Sequence, residues 1–123
     1  MRAARLAAVL LVVAACSTVA TSGAEYELSE GVVDGPNHLG LTAAKTIKIE
    51  NYGEFTHTLV VTNDQGEVMG ATDLIESGDE TSLALDLKPG TYVFSCRIVA
   101  QDDEGNLIDH YELGMHRMVT VQS

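Results

Sequence analysis

The residues able to do chemistry in this 123-residue chain crowd into its C-terminal stretch, TYVFSCRIVAQDDEGNLIDHYELGMHRMVTV. Between Thr91 and Val121 lie one thiol (Cys96), two imidazoles (His110, His116) and two thioethers (Met115, Met118); a further imidazole, His57, stands upstream in NYGEFTHTLVV. Thiolate and thioether favour cuprous copper, and imidazole serves both oxidation states. Two nitrogens, one thiolate and a weak axial thioether therefore suit a mononuclear copper electron-transfer centre. Taken singly, each residue has another reading: His57 as a hydrogen-bonded core histidine beside Leu59 and Val61, Cys96 as a plainly buried thiol, His110 as an exposed loop residue, Met115 as a core filler. No nucleophile stands at a recognisable spacing from a base, and four protein ligands leave a metal no open position, so neither catalysis nor a small-molecule substrate is expected.

The elements that must position these groups read as strands. Thr46-Ile47-Lys48-Ile49-Glu50 alternates polar and apolar, His57 to Val61 is β-branched and apolar, and Thr81 to Leu87 places Leu83, Leu85 and Leu87 on one side. Tyr92, Phe94 and Cys96 share one face of the next strand, and a closing strand runs over Met118 to Val121. Turn residues punctuate the runs at Asn51-Tyr52-Gly53, Asn63-Asp64-Gln65-Gly66, Ser77-Gly78-Asp79 and Lys88-Pro89-Gly90. Short strands at this spacing predict an all-β fold, a two-sheet β-sandwich with Greek-key connections. Met69 to Glu76 is open between a short helix and an irregular crossover.

Asn51-Tyr52-Gly53 ahead of His57-Thr58-Leu59-Val60-Val61, then Lys88-Pro89-Gly90-Thr91-Tyr92 leading to Phe94 and Cys96, then His110 and Gly114-Met115 before a closing strand, resembles the cupredoxins, the plastocyanin and azurin family. The resemblance runs from about Thr42 to the C-terminus in the family's order. It implies one copper ion held by His57, Cys96, His110 and Met115, and an electron carrier as the function. The alternative is a copper delivery or storage protein at a membrane surface; a third reading, a metal-free interaction module, makes the ordered ligand set a coincidence. His116 and Met118 compete for ligand roles, but His116 adjoins Met115 and points away if Met115 points inward. His38 reads as a loop residue, with a place near the copper left open.

The chain departs from the family between Cys96 and His110, where thirteen residues, Arg97 to Asp109, replace a short connection. Apolar flanks, Ile98-Val99 and Leu107-Ile108, around Asp102-Asp103-Glu104-Gly105-Asn106 predict a hairpin-like or Ω-shaped flap with an irregular base. The role of His110 depends on that irregularity. The acidic flap is either a docking surface for a basic redox partner of cytochrome or oxidase type, or an insertion without a partner.

At the other end, Arg2 and Arg5 precede an uncharged apolar run, Leu6 to Ala15, which predicts a secretory signal peptide over residues 1–15. Val13-Ala14-Ala15-Cys16 resembles the bacterial lipobox and makes Cys16 the lipid-bearing first mature residue; the competing reading is cleavage after Ala20 with Cys16 discarded. The lipid would anchor the protein to a membrane on the periplasmic or cell-surface side. Residues 16–23 then read as a flexible tether and 24–123 as the copper domain. With Cys16 acylated or removed, Cys96 is left alone in an oxidising compartment, where ligation or burial must protect it. Without Arg2 and Arg5 the chain holds five basic residues against eighteen acids, net −13, which excludes nucleic acid as a partner.

Overall fold

The computed structural model describes residues 19–123; the signal-peptide residues 1–15 and Cys16 lie outside the described residues. The strands, in chain order, are β1 (Glu25–Ser29), β2 (Val32–Asp34), β3 (His38–Gly40), β4 (Thr46–Asn51), β5 (Val60–Thr62), β6 (Val68–Ala71), β7 (Glu80–Ala84), β8 (Gly90–Ser95), β9 (Val99–Gln101), β10 (Leu107–Asp109) and β11 (His116–Gln122). A single 3₁₀ turn, Ala43–Lys45, precedes β4. No described helix is long and apolar enough to cross a membrane.

Period-two alternation decides which faces meet. Tyr26 and Leu28 of β1 and Ile47 and Ile49 of β4 are buried between exposed or half-buried neighbours, as are Val61, Val119 and Val121 of β5 and β11, while on β8 Phe94 is buried together with the adjacent Ser95. The first group belongs to a four-stranded sheet, β2-β1-β4-β7, the second to a five-stranded sheet, β3-β11-β8-β5-β6. Their apolar faces close on each other, with the rings of Tyr26 and Phe94 4.9 Å apart between centroids. Each fully buried side chain of this size contributes about 1.5–3 kcal/mol. The chain crosses between sheets after β2, after β3, after β4, after β6 and after β7, and it pairs in parallel at β1 with β4 and at β3 with β11.

Two details differ from the sequence reading, and a third, left open there, is decided. Regular pairing of the run from His57 begins only at Val60, because Thr72 Oγ1 takes the Leu59 N–H (3.0 Å) and returns its own N–H to the Leu59 carbonyl (2.9 Å). Met69 to Glu76 accordingly resolves into the end of β6 followed by an irregular crossover, whose Ile75 forms an isolated antiparallel bridge with His57. Within the stretch read as a tether, Ala20 pairs with β3, donating to the His38 carbonyl (3.1 Å) and accepting from Gly40 (2.7 Å).

The long connection after Cys96 is a hairpin, as its apolar flanks predict. β9 and β10 pair in antiparallel register, Val99 opposite Asp109, and Asp102 organises the tip by accepting the N–H groups of Glu104 and Asn106 on Oδ1.

Candidate metal centre

Three side chains from three separate segments converge at one end of the sandwich. His57 is held by two backbone hydrogen bonds with Ile75 (3.0 and 2.8 Å). Asn51, buried at the end of β4, supports that pairing by donating from Nδ2 to the carbonyls of Ile75 (2.8 Å) and Phe55 (2.9 Å) and accepting the Gly53 N–H on Oδ1 (2.8 Å). Cys96 follows β8 directly, its N–H bonded to the Met115 carbonyl (3.0 Å). His110 follows β10, its N–H bonded to Ile98 and its carbonyl accepting from Met115.

The irregular base demanded by the sequence is a turn. Continued to its end, the β9–β10 register would set Cys96 opposite Glu112, whereas the β8–β11 register sets it opposite Met115. A tight turn over Tyr111–Gly114, closed by bonds from Leu113 to Asp109 and from Gly114 to Tyr111, absorbs the difference. It brings both His110 and Met115 to Cys96.

The resulting distances are short. Nδ1 of His57 lies 3.2 Å from Nδ1 of His110, and Cys96 Sγ lies 3.8 and 3.5 Å from them respectively. His57 and Cys96 are fully buried, and His110 is 7% exposed. Donors sharing one first-row metal ion at about 2.0–2.3 Å must themselves lie roughly 3–4 Å apart, and these three do. The donor types discriminate further: one thiolate with two imidazoles beside a thioether suits copper better than zinc, which takes four strong ligands.

The surroundings favour the ligating forms. Burial first, and the neighbouring His57 second, push the His110 imidazole below the ordinary histidine value, which keeps its nitrogen free of a proton. The Thr58 N–H points at Cys96 Sγ at 3.5 Å, a weak donor to a sulfur. On the far side of the His57 ring, Nε2 meets Glu30 Oε2 at 2.8 Å. The Glu54 N–H on Oε1 (2.7 Å), with the His57 ring as a lesser contributor, holds the Glu30 carboxyl below the ordinary glutamate value.

The structure therefore brings together His57, Cys96 and His110. Met115 is buried and lines, with both histidines, a cleft of about 530 Å³ under the inner face of the hairpin. The competitors are placed elsewhere: Met118 and His116 face solvent, His116 stacked on Tyr111 (centroids 4.5 Å apart), which the Arg97 guanidinium covers from 4.7 Å. His38 is paired with Thr120, four residues along β11 from the His116 end, and takes no part. The sequence reading missed Glu30, Asn51 and the Thr58 amide. The Glu30-Gly31 pair between apolar runs was a hairpin signal, but nothing local says what the tip of a hairpin packs against.

No protein-family profile matches the sequence, and no curated protein is detectably similar to it. Solved structures are similar in fold. The azurin isoform 2 of the obligate methylotroph Methylomonas sp. strain J matches with a TM-score of 0.57 at 14% identity, over 87% of this chain and 99% of that one. A single-residue variant of amicyanin in its Cu(I) form matches with a TM-score of 0.51 at 12% identity, over 81% and 82% of the two chains. A Cu-containing nitrite reductase from Thermus scotoductus SA-01 matches with a TM-score of 0.51 at 21% identity, over 82% of this chain, which spans only 22% of that enzyme. With its two facing sheets and a buried His-Cys-His cluster at one end, this chain has the cupredoxin fold.

Proposed function

We propose that the protein is a mononuclear copper protein that carries electrons, with His57, Cys96 and His110 as the residues that would bind the ion strongly and Met115 as the one that would bind it weakly. The observation that carries this reading is the buried triangle of two Nδ1 atoms and one Sγ with sides of 3.2, 3.5 and 3.8 Å. A copper ion bound there supplies a one-electron cupric/cuprous couple. The protein's part is to hold both imidazoles and the thiolate from three rigid segments, so that little rearranges when an electron arrives, and to keep water off them by burial. Four protein donors leave no position for a substrate, which favours a carrier over an enzyme.

The partner we propose is a basic redox protein. Asp102 and Asp103 of the flap line the cleft that reaches His57 and His110, and the exposed rings and chains of Phe55 and Leu113 border it. An apolar patch with an acidic rim favours a cationic face. Export and attachment to a membrane through lipid on Cys16 belong to the same proposal and rest on the N-terminal sequence.

The test is the visible spectrum of residues 17–123, which include every described strand, titrated with cupric ion beside Cys96→Ser. An intense thiolate-to-copper band that saturates at one equivalent, bleaches reversibly on reduction and is missing from the variant is expected. Tight cuprous uptake without such a band would turn the reading to copper delivery, and binding of neither ion would overturn the ligand assignment.

A further inference from the structure

We propose that Glu30 is a positioning residue for His57: its carboxylate holds the imidazole with Nδ1 turned to the metal site and biases a bound copper towards the cupric state. The inference rests on the copper reading of the site. For Nδ1 of His57 to offer a lone pair towards Cys96 and His110, the ring proton must sit on Nε2. His57 is fully buried, so that N–H has no water to satisfy it, and a buried unmatched donor costs about 1–3 kcal/mol. Glu30 Oε2 at 2.8 Å is its acceptor, and Glu30 Oε1 is fixed in turn by the Glu54 amide at 2.7 Å.

The fold makes room for this contact at the expense of side chains. A Cβ on Gly53 would lie 2.0 Å from Glu30 Oε2 and 2.9 Å from His57 Nε2. The tip that carries Glu30, between β1 and β2, is docked on the ligand turn at a second pair of glycines: a Cβ on Gly114 would lie 2.8 Å from the Gly31 carbonyl, and one on Gly31 3.0 Å from the Leu113 carbonyl. The hairpin tip, the loop before His57 and the turn before Met115 thus close on one another around the Glu30–His57 bond. A carboxylate one hydrogen bond behind a ligand raises that ligand's basicity and adds negative charge, and both effects favour the more highly charged metal ion.

The test compares residues 17–123 as wild type, Glu30→Gln, Glu30→Ala and Glu76→Gln, each loaded with one equivalent of copper. Glu76 is an exposed carboxylate one residue from Ile75, the bridging partner of His57, and controls for charge alone. Expected in Glu30→Gln, which is nearly isosteric, is a loss of about tenfold in preference for cupric over cuprous ion, a rise in potential of about 59 mV. In the cuprous, diamagnetic form the His57 Nε2–H should exchange slowly with solvent in the wild type and in Glu30→Gln, and fast in Glu30→Ala. Wild type that takes up no copper overturns the copper reading and this one with it. Copper-loaded Glu30→Gln with the potential of Glu76→Gln overturns this inference alone, as does an unchanged His57 proton in Glu30→Ala.

Discussion

Replacing Asn51 by alanine should cost the metal-free domain far more than its size suggests. The side chain is 1% exposed and makes three hydrogen bonds, to Phe55, Ile75 and Gly53. The Ile75 carbonyl keeps a second partner, the His57 N–H, and Phe55 is exposed, so those two losses are ordinary ones of about 1 kcal/mol each. The Gly53 amide is buried and would be left unmatched, at about 1–3 kcal/mol. The total is roughly 3–5 kcal/mol, and at about 5 °C per kcal/mol for a domain of this size the midpoint should fall by roughly 15–25 °C. Asn63 is the internal control. It too makes three hydrogen bonds, to the amides of Gln65 and Glu67 and the Glu67 side chain, but in an exposed turn where water replaces them. Asn63→Ala should stay within about 1 kcal/mol of wild type. Thermal unfolding of the apo forms decides, since bound metal would add its own stabilisation. If Asn51→Ala melts within a few degrees of Asn63→Ala, Asn51 does not hold the His57 loop.

Three other perturbations test the site from different sides. Alanine at the exposed His116 should leave the copper–thiolate band unchanged, whereas alanine at His110 should abolish or strongly shift it; the opposite pattern in titrations of the two variants would exchange their roles. Neutralising Asp102, Asp103 and Glu104 together should slow electron exchange with a cationic donor about tenfold at low salt and hardly at all near 1 M, where screening acts within about 3 Å; equal stopped-flow rates at low salt would remove the docking surface. The Asn106 amide, with smaller help from the Asn106 side chain and the Glu104 amide, holds the Asp102 carboxyl below the ordinary aspartate value. A carboxyl lowered on folding contributes its stability above its unfolded pKa of about 3.9 and loses it as pH falls through the folded value, so acid should open the flap tip while the sandwich persists. Hydrogen exchange of the Asn106 amide, corrected for its intrinsic pH dependence, should then accelerate relative to β8; parallel behaviour of the two would refute it.

What the sequence made legible was whatever depends on local alternation. Ile47 and Ile49, Leu85 and Leu87, Tyr92 and Phe94 each announce a buried face two residues at a time, and each is buried. Two classes of feature escaped. The first is pairing that mixes backbone with side chain: Thr72 Oγ1 takes the Leu59 amide, so an apolar run that reads as strand from His57 begins regular pairing three residues later. The same exchange makes a crossover of Thr72 to Glu76, a segment without any period to read. The second is contact between hairpin tips and loops. Glu30 looks like any exposed acid in a two-residue turn, and only the docking of Gly31 against Leu113 and Gly114 turns it towards His57.

The long flap shows why the spacing between Cys96 and His110 is a poor guide to whether both can reach one metal. An antiparallel hairpin returns the chain to the point from which it left, whatever its length, provided its residues pair. Here pairing extends to the Ile98 carbonyl and the His110 amide, so ten intervening pairs or three would leave His110 beside the same stretch of chain after Cys96. What depends on number is the segment after His110. The three-residue offset between the hairpin ladder and the β8–β11 ladder must be taken up between His110 and Met115, and the tight turn over Tyr111–Gly114 does so with Gly114 at φ +111°. That conformation favours glycine, and it places the Met115 carbonyl on the Cys96 amide. The constraint on the candidate site therefore lies in the five positions from His110 to Met115, while the thirteen residues before them are free to serve as a surface.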